Sequence, residues 1–419
     1  MQNKVKKQKA VITGMGIISP LGEKLDEYWK NLTEGVSGIG PMTLCDPSEF
    51  PSKIAGEVNT FDPYVYIDKK EAKRMARFSQ MAVASAQLAI ENANISFSKT
   101  ELNRTAVIIG NGNGGFPEIE QNARAQVLKG ETKVSPYFIP MILPNMAAAN
   151  ISRVFGFKGF SSTVVTACAA STQSIGDAAL LINNGMCDIA LAGGCESGIT
   201  KLGLGGFSAL RALSTQNDNP ATASKPFDLK RDGFVPAEGA GMLVIESEEH
   251  ALKRGANIIC EIAGMGVSSD AHHPVQPDPS GEGAILSMQR ALDNAGITTS
   301  EIDYINAHGT STPLNDVCET NAIKKLFNKQ AYNTPISSTK SMIGHVLGGA
   351  GALEGIATIL SIVNQKIHPT INLKTPDPEC DLDYVPNKSR NHKINYAMSN
   401  NFGFGGQNAS IVFKNPLIK

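Results

Sequence analysis

Little in this chain marks it for the common specialised classes. Lys+Arg and Asp+Glu number 38 and 39, giving a net charge of −1 with only 18% charged residues. No field of one sign is available to dominate binding to nucleic acid or an anionic membrane. Seven cysteines are an odd, scattered set with no Cys-x-x-Cys pair, which argues against a disulfide scaffold or a zinc cage. The first ten residues are basic without an apolar core, and no long uncharged apolar run follows. That predicts neither a secretory leader nor a spanning helix, and a reduced chain in the cytoplasm. No Pro/Ser-rich or low-complexity tract separates one part from another, so nothing reads as a linker.

Glycine, by contrast, is abundant: 40 residues, mostly clustered with Ala and Ser inside apolar segments. Such clusters suit backbone packed closely on backbone, and turns that carry chemistry. Strand-like runs at 10–14, 105–110, 187–194, 241–246, 258–267, 302–306 and 409–413 alternate with helical stretches at 72–92, 172–183, 281–295 and 350–363. This alternation predicts α/β layers with buried sheets. The strand, turn and small-residue helix around Cys168 are echoed at 335–354. A duplicated unit with halves 1–255 and 256–419 would bring both segments to one central site.

Residues 162–176 read as a β-branched strand, a small-residue turn and a helix, with Cys168 on the turn. A thiol there meets free N–H groups and partial positive charge, which favour a thiolate. Ala167, Ala169 and Ala170 leave room for an approaching group. Away from such a turn the bland reading, a buried structural cysteine, would be preferred. His308 directly follows the run 302–305, at the carboxyl end of a strand, where α/β sites form. His345 precedes a Gly/Ala-rich helix. Either histidine alone reads as a satisfied structural residue. No acid is obviously placed to orient one as a base, so the pair suits donation of two hydrogen bonds to one oxygen as it becomes negative. That describes an enolate rather than hydrolysis. Gly403, Gly405 and Gly406 surround Phe404 in a loop whose N–H groups could complete an oxyanion hole.

Together, Thr166-Ala-Cys168, the 306–312 histidine segment, Lys340 with His345, and the 400–408 loop resemble the β-ketoacyl-[acyl-carrier-protein] synthases, most nearly the elongating type, synthase II. Matches extend from 11–22 through 225–234 to 401–406. The resemblance implies a thiolase fold, a five-layered α/β/α/β/α arrangement of two duplicated halves, and a homodimer or a heterodimer with a synthase-like subunit. It implies that Cys168 takes an acyl chain from acyl-carrier protein, and that malonyl-carrier protein then loses carbon dioxide and attacks the thioester. His308 and His345 would stabilise the enolate, and the N–H groups of Cys168 and Phe404 the tetrahedral oxyanion. Lys340 paired with Glu354 would support the histidines, Thr310 and Thr312 would bind the phosphopantetheine arm, and Phe404 would act as the gate. Asn113, Phe138, Phe207 and Phe402 would line the acyl pocket. Lys69, Lys70, Lys73, Arg74, Lys133 and Arg211 would dock the carrier protein. No metal and no cofactor beyond the carrier's phosphopantetheine is expected.

Sequence features also speak against the rival readings. A glycine-rich turn at 110–115 fits a dinucleotide fingerprint, but Glu131, the acid at the required distance, ends a segment that is no strand. A non-catalytic chain-length subunit would lack the nucleophile. Non-decarboxylative thiolases need a second cysteine near the final loop, and initiating synthases pair Cys with one His and one Asn. Two departures from the resemblance bear on chain preference. Asn113 stands where an apolar residue is expected at the pocket floor, and Ser161-Ser162 replaces Gly-Pro-Ser. A dedicated ketosynthase of a polyketide or polyene pathway is therefore the alternative reading.

Overall fold

The computed structural model describes residues 8–130 and 132–418. The basic residues 1–7 and Glu131, the acid considered for a dinucleotide, lie outside the described residues. The longest sheet contains β1 (Ala10–Ile18), β2 (Ala106–Gly110), β3 (Ser161–Val164), β4 (Ile189–Glu196) and β5 (Gly239–Ser247) from the first half of the chain. The second half supplies β6 (Cys260–Ser269), β7 (Tyr304–Asn306), β8 (Ile336–Ser337), β9 (Tyr396–Gly403) and β10 (Gln407–Lys414).

The strand order is β8-β7-β9-β10-β6-β1-β5-β4-β2-β3. Outward from the seam, the first half therefore runs 1-5-4-2-3 and the second 6-10-9-7-8, the same order with each number raised by five. Pairing directions repeat too: β2 lies parallel to β3 and β4, as β7 does to β8 and β9, while the remaining pairs are antiparallel. At the seam β1 meets β6 through only Ala10–Ile12.

Helices α1 (Arg77–Ala93), α2 (Ala170–Asn183), α3 (Glu282–Ala295), α4 (Pro313–Phe327) and α5 (Ala350–Asn364) complete the layers. α1 covers the outer face of β1, β4 and β5; α3 covers β6 and β10, with α4 beside it. α2 and α5 pack against each other and against strands of both halves. The five-layered α/β/α/β/α thiolase arrangement follows. Every residue from Ala350 to Ile362 is buried, as the middle layer of five demands. The segment Leu347–Asn364 is apolar and long enough to span a membrane, yet 89% of it is buried within the protein, so here it is a core helix. Small residues let the two central helices close together: a Cβ on Gly351 would lie 2.0 Å from Thr172 Oγ1 and 2.7 Å from the Thr172 backbone nitrogen.

The echo between the halves extends to turn geometry. Ala167–Ala169 forms a 3₁₀ turn before α2, and Leu347–Gly349 forms one before α5. Ala167 and Leu347 both sit at φ +48°, a left-handed conformation that non-glycine residues hold at a cost. Gly348 thus occupies in the second half the place that Cys168 occupies in the first.

Candidate active site

Cys168 lies on its strained turn at the bottom of a cavity of about 340 Å³. The helix α2 it introduces begins two residues later. His308 follows β7 at its carboxyl end, and His345 follows a short helix, Lys340–Ile343. The His345 backbone is pinned on both sides, its N–H donating to Val235 O and its carbonyl accepting from Ala237 N–H. The rings of the two histidines meet edge to face with centroids 5.4 Å apart. His345 Nε2 lies 3.0 Å from Cys168 Sγ. Topology therefore joins residues separated by 177 positions into one cluster.

Burial governs the ionisation of this cluster. It pushes the Cys168 thiol up to about 12, against the opposing pull of Lys340 and the Phe404 backbone N–H. The thiolate expected from the turn alone is thus corrected: desolvation of the sulfur outweighs the favourable charge nearby. Burial, reinforced by Lys340, holds both His308 and His345 well below the usual histidine range, so both imidazoles are neutral. His345 Nδ1 accepts the Leu347 backbone N–H at 3.2 Å, which leaves the proton on Nε2 and aims it into the cavity.

That tautomer bears on metal binding as well. Donor atoms of Cys168, His308 and His345 all fall within 4.8 Å of one another, a spacing that a soft divalent ion could use. A ligating imidazole needs a lone pair on the atom facing the metal, with its proton on the other nitrogen. His345 has the reverse arrangement, so the donor set does not fit an ion.

Lys340 and Glu354 form a buried ion pair, Nζ to Oε1, of 2.5 Å. Burial raises the Glu354 carboxyl while Lys340 and Asn401 pull it down. Asn401 Nδ2 donates to Glu354 Oε2 at 2.7 Å and lies 3.4 Å from His308 Nδ1. Phe404 sits on the loop beside Cys168. A Cβ on Gly403 would fall 2.7 Å from Thr166 O and 3.2 Å from Cys168 N, so only glycine lets this loop pass so near the turn. Thr310, Thr312, Phe402 and Arg211 line the same cavity. The Thr310 and Thr312 hydroxyls are 2.9 Å apart, and Phe402 stands edge to face with His308.

Around the sulfur an apolar cluster containing Cys168, Ile199, Leu204, Phe234 and Leu347 includes Phe207 at its margin, and Phe234 and Leu347 also line the cavity. Asn113 and Phe138 do not line the cavity that holds Cys168. Phe138 begins a short, half-buried helix, Phe138–Ile142. Asn113 donates its backbone N–H to Glu196, but its buried Nδ2 has no partner among the described residues. The role of capping the glycine-rich turn falls to Asn111, which accepts Gly114 N–H and donates to Cys195 O, both at 2.8 Å. Lys69, Lys70, Lys73 and Arg74 form a separate patch around the short helix Lys69–Ala72. Within it Arg74 is engaged with Glu71 and with the Tyr137 ring. Lys133 is exposed.

Sequence reasoning missed four residues. Glu319 accepts the backbone N–H groups of His308 and Gly309, both at 2.8 Å, and so fixes the segment rather than the ring. Glu196 accepts N–H groups from Gly112, Asn113 and Gly348, tying the glycine-rich turn to the turn after His345. Burial pushes both carboxyls up to about 7. Phe234 packs edge-on against His345. Asn401 lay inside a motif read only for its glycines and Phe404, and Phe234 ends the matched segment 225–234, whose residues were given no individual role; the two glutamates gave no local signal.

Comparison with known proteins agrees with this geometry. Residues 7–251 match the family described as Beta-ketoacyl synthase, N-terminal domain, and residues 259–374 its C-terminal domain. The chain is 47% identical over 410 residues to 3-oxoacyl-[acyl-carrier-protein] synthase 2 of Synechocystis sp., covering 98% of this chain and 99% of the relative. With the protein of the same name from Coxiella burnetii it shares 48% over 408 residues, covering 97% and 99%. Among solved structures, a β-ketoacyl synthase from Burkholderia phymatum superposes with a TM-score of 0.91 at 36% identity, covering 97% and 99%. A ketosynthase bound to its type II polyketide acyl-carrier protein and a hexaketide gives 0.90 at 35% identity, covering 97% and 99%.

Proposed function

The chain belongs to the β-ketoacyl synthase family, and from that premise we propose how its residues divide the reaction. The enzyme is an acyltransferase: it condenses an acyl chain with malonyl-[acyl-carrier-protein] to give 3-oxoacyl-[acyl-carrier-protein], the elongation step of fatty-acid synthesis. The single observation that carries the residue roles is the contact of His345 Nε2 with Cys168 Sγ at 3.0 Å beneath one cavity, with His308 beside it.

In the first stage the Cys168 sulfur attacks the carrier-bound thioester. Its proton leaves with the pantetheine sulfur, and the acyl group remains on Cys168. The sulfur is then a weak acceptor, which frees the His345 Nε2–H for a new partner. In the second stage the malonyl C–CO₂ bond breaks, carbon dioxide departs, and the electron pair moves onto the thioester oxygen as an enolate. His308 and His345 donate to that oxygen. The enolate carbon attacks the Cys168 thioester, the N–H groups of Cys168 and Phe404 hold the resulting oxyanion, and the Cys168 C–S bond breaks. The departing sulfur takes up a proton and restores the thiol. Neutral imidazoles suit this role, because they stabilise growing negative charge without surrendering a proton. Lys340 with Glu354 supports the histidines, Thr310 and Thr312 receive the phosphopantetheine arm, Phe404 is the gate, and Phe402 and Phe207 flank the sulfur on the acyl side.

The halves 1–255 and 256–419 are the duplicated units; their repeated strand order supports that division. The half-buried edge strand β3, flanked by exposed Phe160 and Val165, supports pairing with a second copy or a synthase-like subunit. The protein works in the cytoplasm and draws its acyl groups from carrier protein. A second reading keeps the chemistry and changes the pathway to a specialised polyketide or polyene chain; the unpartnered amide of Asn113 favours it.

Intact mass after incubation with acyl-carrier protein tests the assignment. Wild type gains one acyl group, and Cys168→Ala gains none. His308→Ala and His345→Ala keep detectable acylation but lose malonyl decarboxylation by roughly 10²–10³-fold, the scale of a lost oxyanion donor. An adduct on Cys168→Ala, or normal decarboxylation in either histidine variant, overturns these roles.

A further inference from the structure

His345 owes its tautomer to a backbone N–H, but no backbone donor among the described residues serves His308 Nδ1. Among the described residues the only polar group facing that nitrogen is the Asn401 side chain, at 3.4 Å. The orientation of this amide is determined by two other partners. Thr172 Oγ1 donates to Asn401 Oδ1 at 2.5 Å. Asn401 Nδ2 donates to Glu354 Oε2 at 2.7 Å, the oxygen not engaged by Lys340. A flipped amide would press its carbonyl oxygen against that carboxylate. With the NH₂ end so directed, its second hydrogen faces His308 Nδ1. A donor opposite Nδ1 requires a lone pair there, and the ring proton must then sit on Nε2.

We propose that Asn401 is a positioning residue that selects the Nε2–H tautomer of His308, so that this histidine enters the reaction as a hydrogen-bond donor. Asn401 touches no reacting atom; it acts through the ring. Its setting is rigid. Asn401, Thr172, Glu354 and Lys340 are all buried, and Gly351 sits where a Cβ would be 2.7 Å from Asn401 Oδ1. The amide thus connects three elements: the end of β9, the start of α2 through Thr172, and α5 through Glu354. The Lys340–Glu354 pair gains a specific role from this. Lys340 keeps Glu354 an acceptor, Glu354 orients Asn401, and Asn401 orients the proton of His308. The inference rests on the enolate-stabilising role of His308 proposed above.

The test compares wild type, Asn401→Asp and Asn401→Leu as full-length enzymes labelled with ¹⁵N-histidine. His308 signals are assigned by their loss in His308→Ala. In wild type the His308 spectrum should show a protonated Nε2 and a bare Nδ1. Asn401→Asp removes the donor and offers an acceptor, so the proton should move to Nδ1, and malonyl decarboxylation should fall by about 10²–10³-fold. Cys168 acylation, followed by mass, should stay within a few-fold of wild type. Asn401→Leu imposes no tautomer and should lose less, about tenfold. Asn401→Asp with His308 still protonated on Nε2 overturns the proposal, as does equal loss in the two variants, the mark of a merely structural role. Should Asn401→Asp not fold, the wild-type spectrum and Asn401→Leu decide alone: a wild-type proton on Nδ1, or unchanged decarboxylation in Asn401→Leu, overturns it. Unchanged decarboxylation in His308→Ala instead brings down the role given to His308 itself.

Discussion

An amide NH₂ with no partner among the described residues is the clearest residue-scale departure in this chain. Burying such a group beside an alkyl tail costs about 1–3 kcal/mol. Asn113 Nδ2 is in that state, and Asn111 has already taken the capping work that could have explained an Asn at this turn. Glu196 holds the Asn113 backbone, so the side chain cannot simply swing away with its turn. If the acyl chain reaches it, long saturated tails are disfavoured roughly ten- to a hundredfold relative to shorter or oxygenated ones. Asn113→Ile should therefore extend the preferred length in a series of saturated acyl-carrier substrates, read as kcat/KM for each chain. An unchanged profile assigns Asn113 to the scaffold and leaves the fatty-acid reading without its rival. At this scale the sequence was most legible where chemistry needs a particular atom. Cys168, His308 and His345, which the structure brings together, stood out because few residue types can perform the work proposed for them. The protonation of Cys168 was not, because burial is a property of the fold and the turn alone pointed the other way. Glu196 and Glu319 were hidden for a similar reason: a buried carboxylate serving backbone N–H groups leaves no pattern along the chain.

At the scale of elements, the echo between 162–176 and 335–354 was visible because both segments place small residues at a helix start. The structure sharpens it into two 3₁₀ turns with the same φ of +48° at Ala167 and Leu347. Boundaries were less legible. The helix expected from 72 begins at Arg77, since residues 69–72 form their own short helix capped by Asp68. The crossing of α2 and α5 was not readable at all, because it depends on Gly351 facing Thr172 across 179 positions of chain. Gly351→Ala places a methyl 2.0 Å from Thr172 Oγ1 and 2.7 Å from both the Thr172 nitrogen and Asn401 Oδ1. Helix propensity favours Ala over Gly by about 1 kcal/mol, but overpacking of a close crossing costs about 1–3 kcal/mol. Backbone atoms cannot yield as a flexible side chain does, so the crossing should win. The expected result is a lower thermal midpoint and slower decarboxylation, since the Thr172–Asn401 contact must open. A higher midpoint with unchanged activity would show that the helices can separate without disturbing the site.

For the whole molecule, net charge understates what the surface can do. A balance of −1 hides a local basic patch: Lys69, Lys70 and Lys73 are exposed around one short helix, while Arg74 is drawn toward Glu71 and Tyr137. Arg211 instead stands at the cavity itself, in a left-handed conformation at φ +54°. The proposed carrier protein would meet both, with its phosphopantetheine reaching past Arg211 toward Cys168. Attraction between an exposed patch and an acidic partner acts chiefly on encounter and is screened over about 8–10 Å at ordinary ionic strength. Reversing Lys70 and Lys73 together to Glu leaves Arg74 and its ring contact in place, so the local fold has no reason to change. The double variant should raise KM for carrier-linked malonate several-fold at low salt. That difference should shrink as salt is added, because wild type loses its own attraction. Turnover of a short pantetheine thioester, which carries no protein surface to attract, should be unaffected. Equal losses with both substrates would place the damage in the site, and equal KM values at low salt would remove this patch from the docking surface and leave Arg211 and Lys133 to carry it.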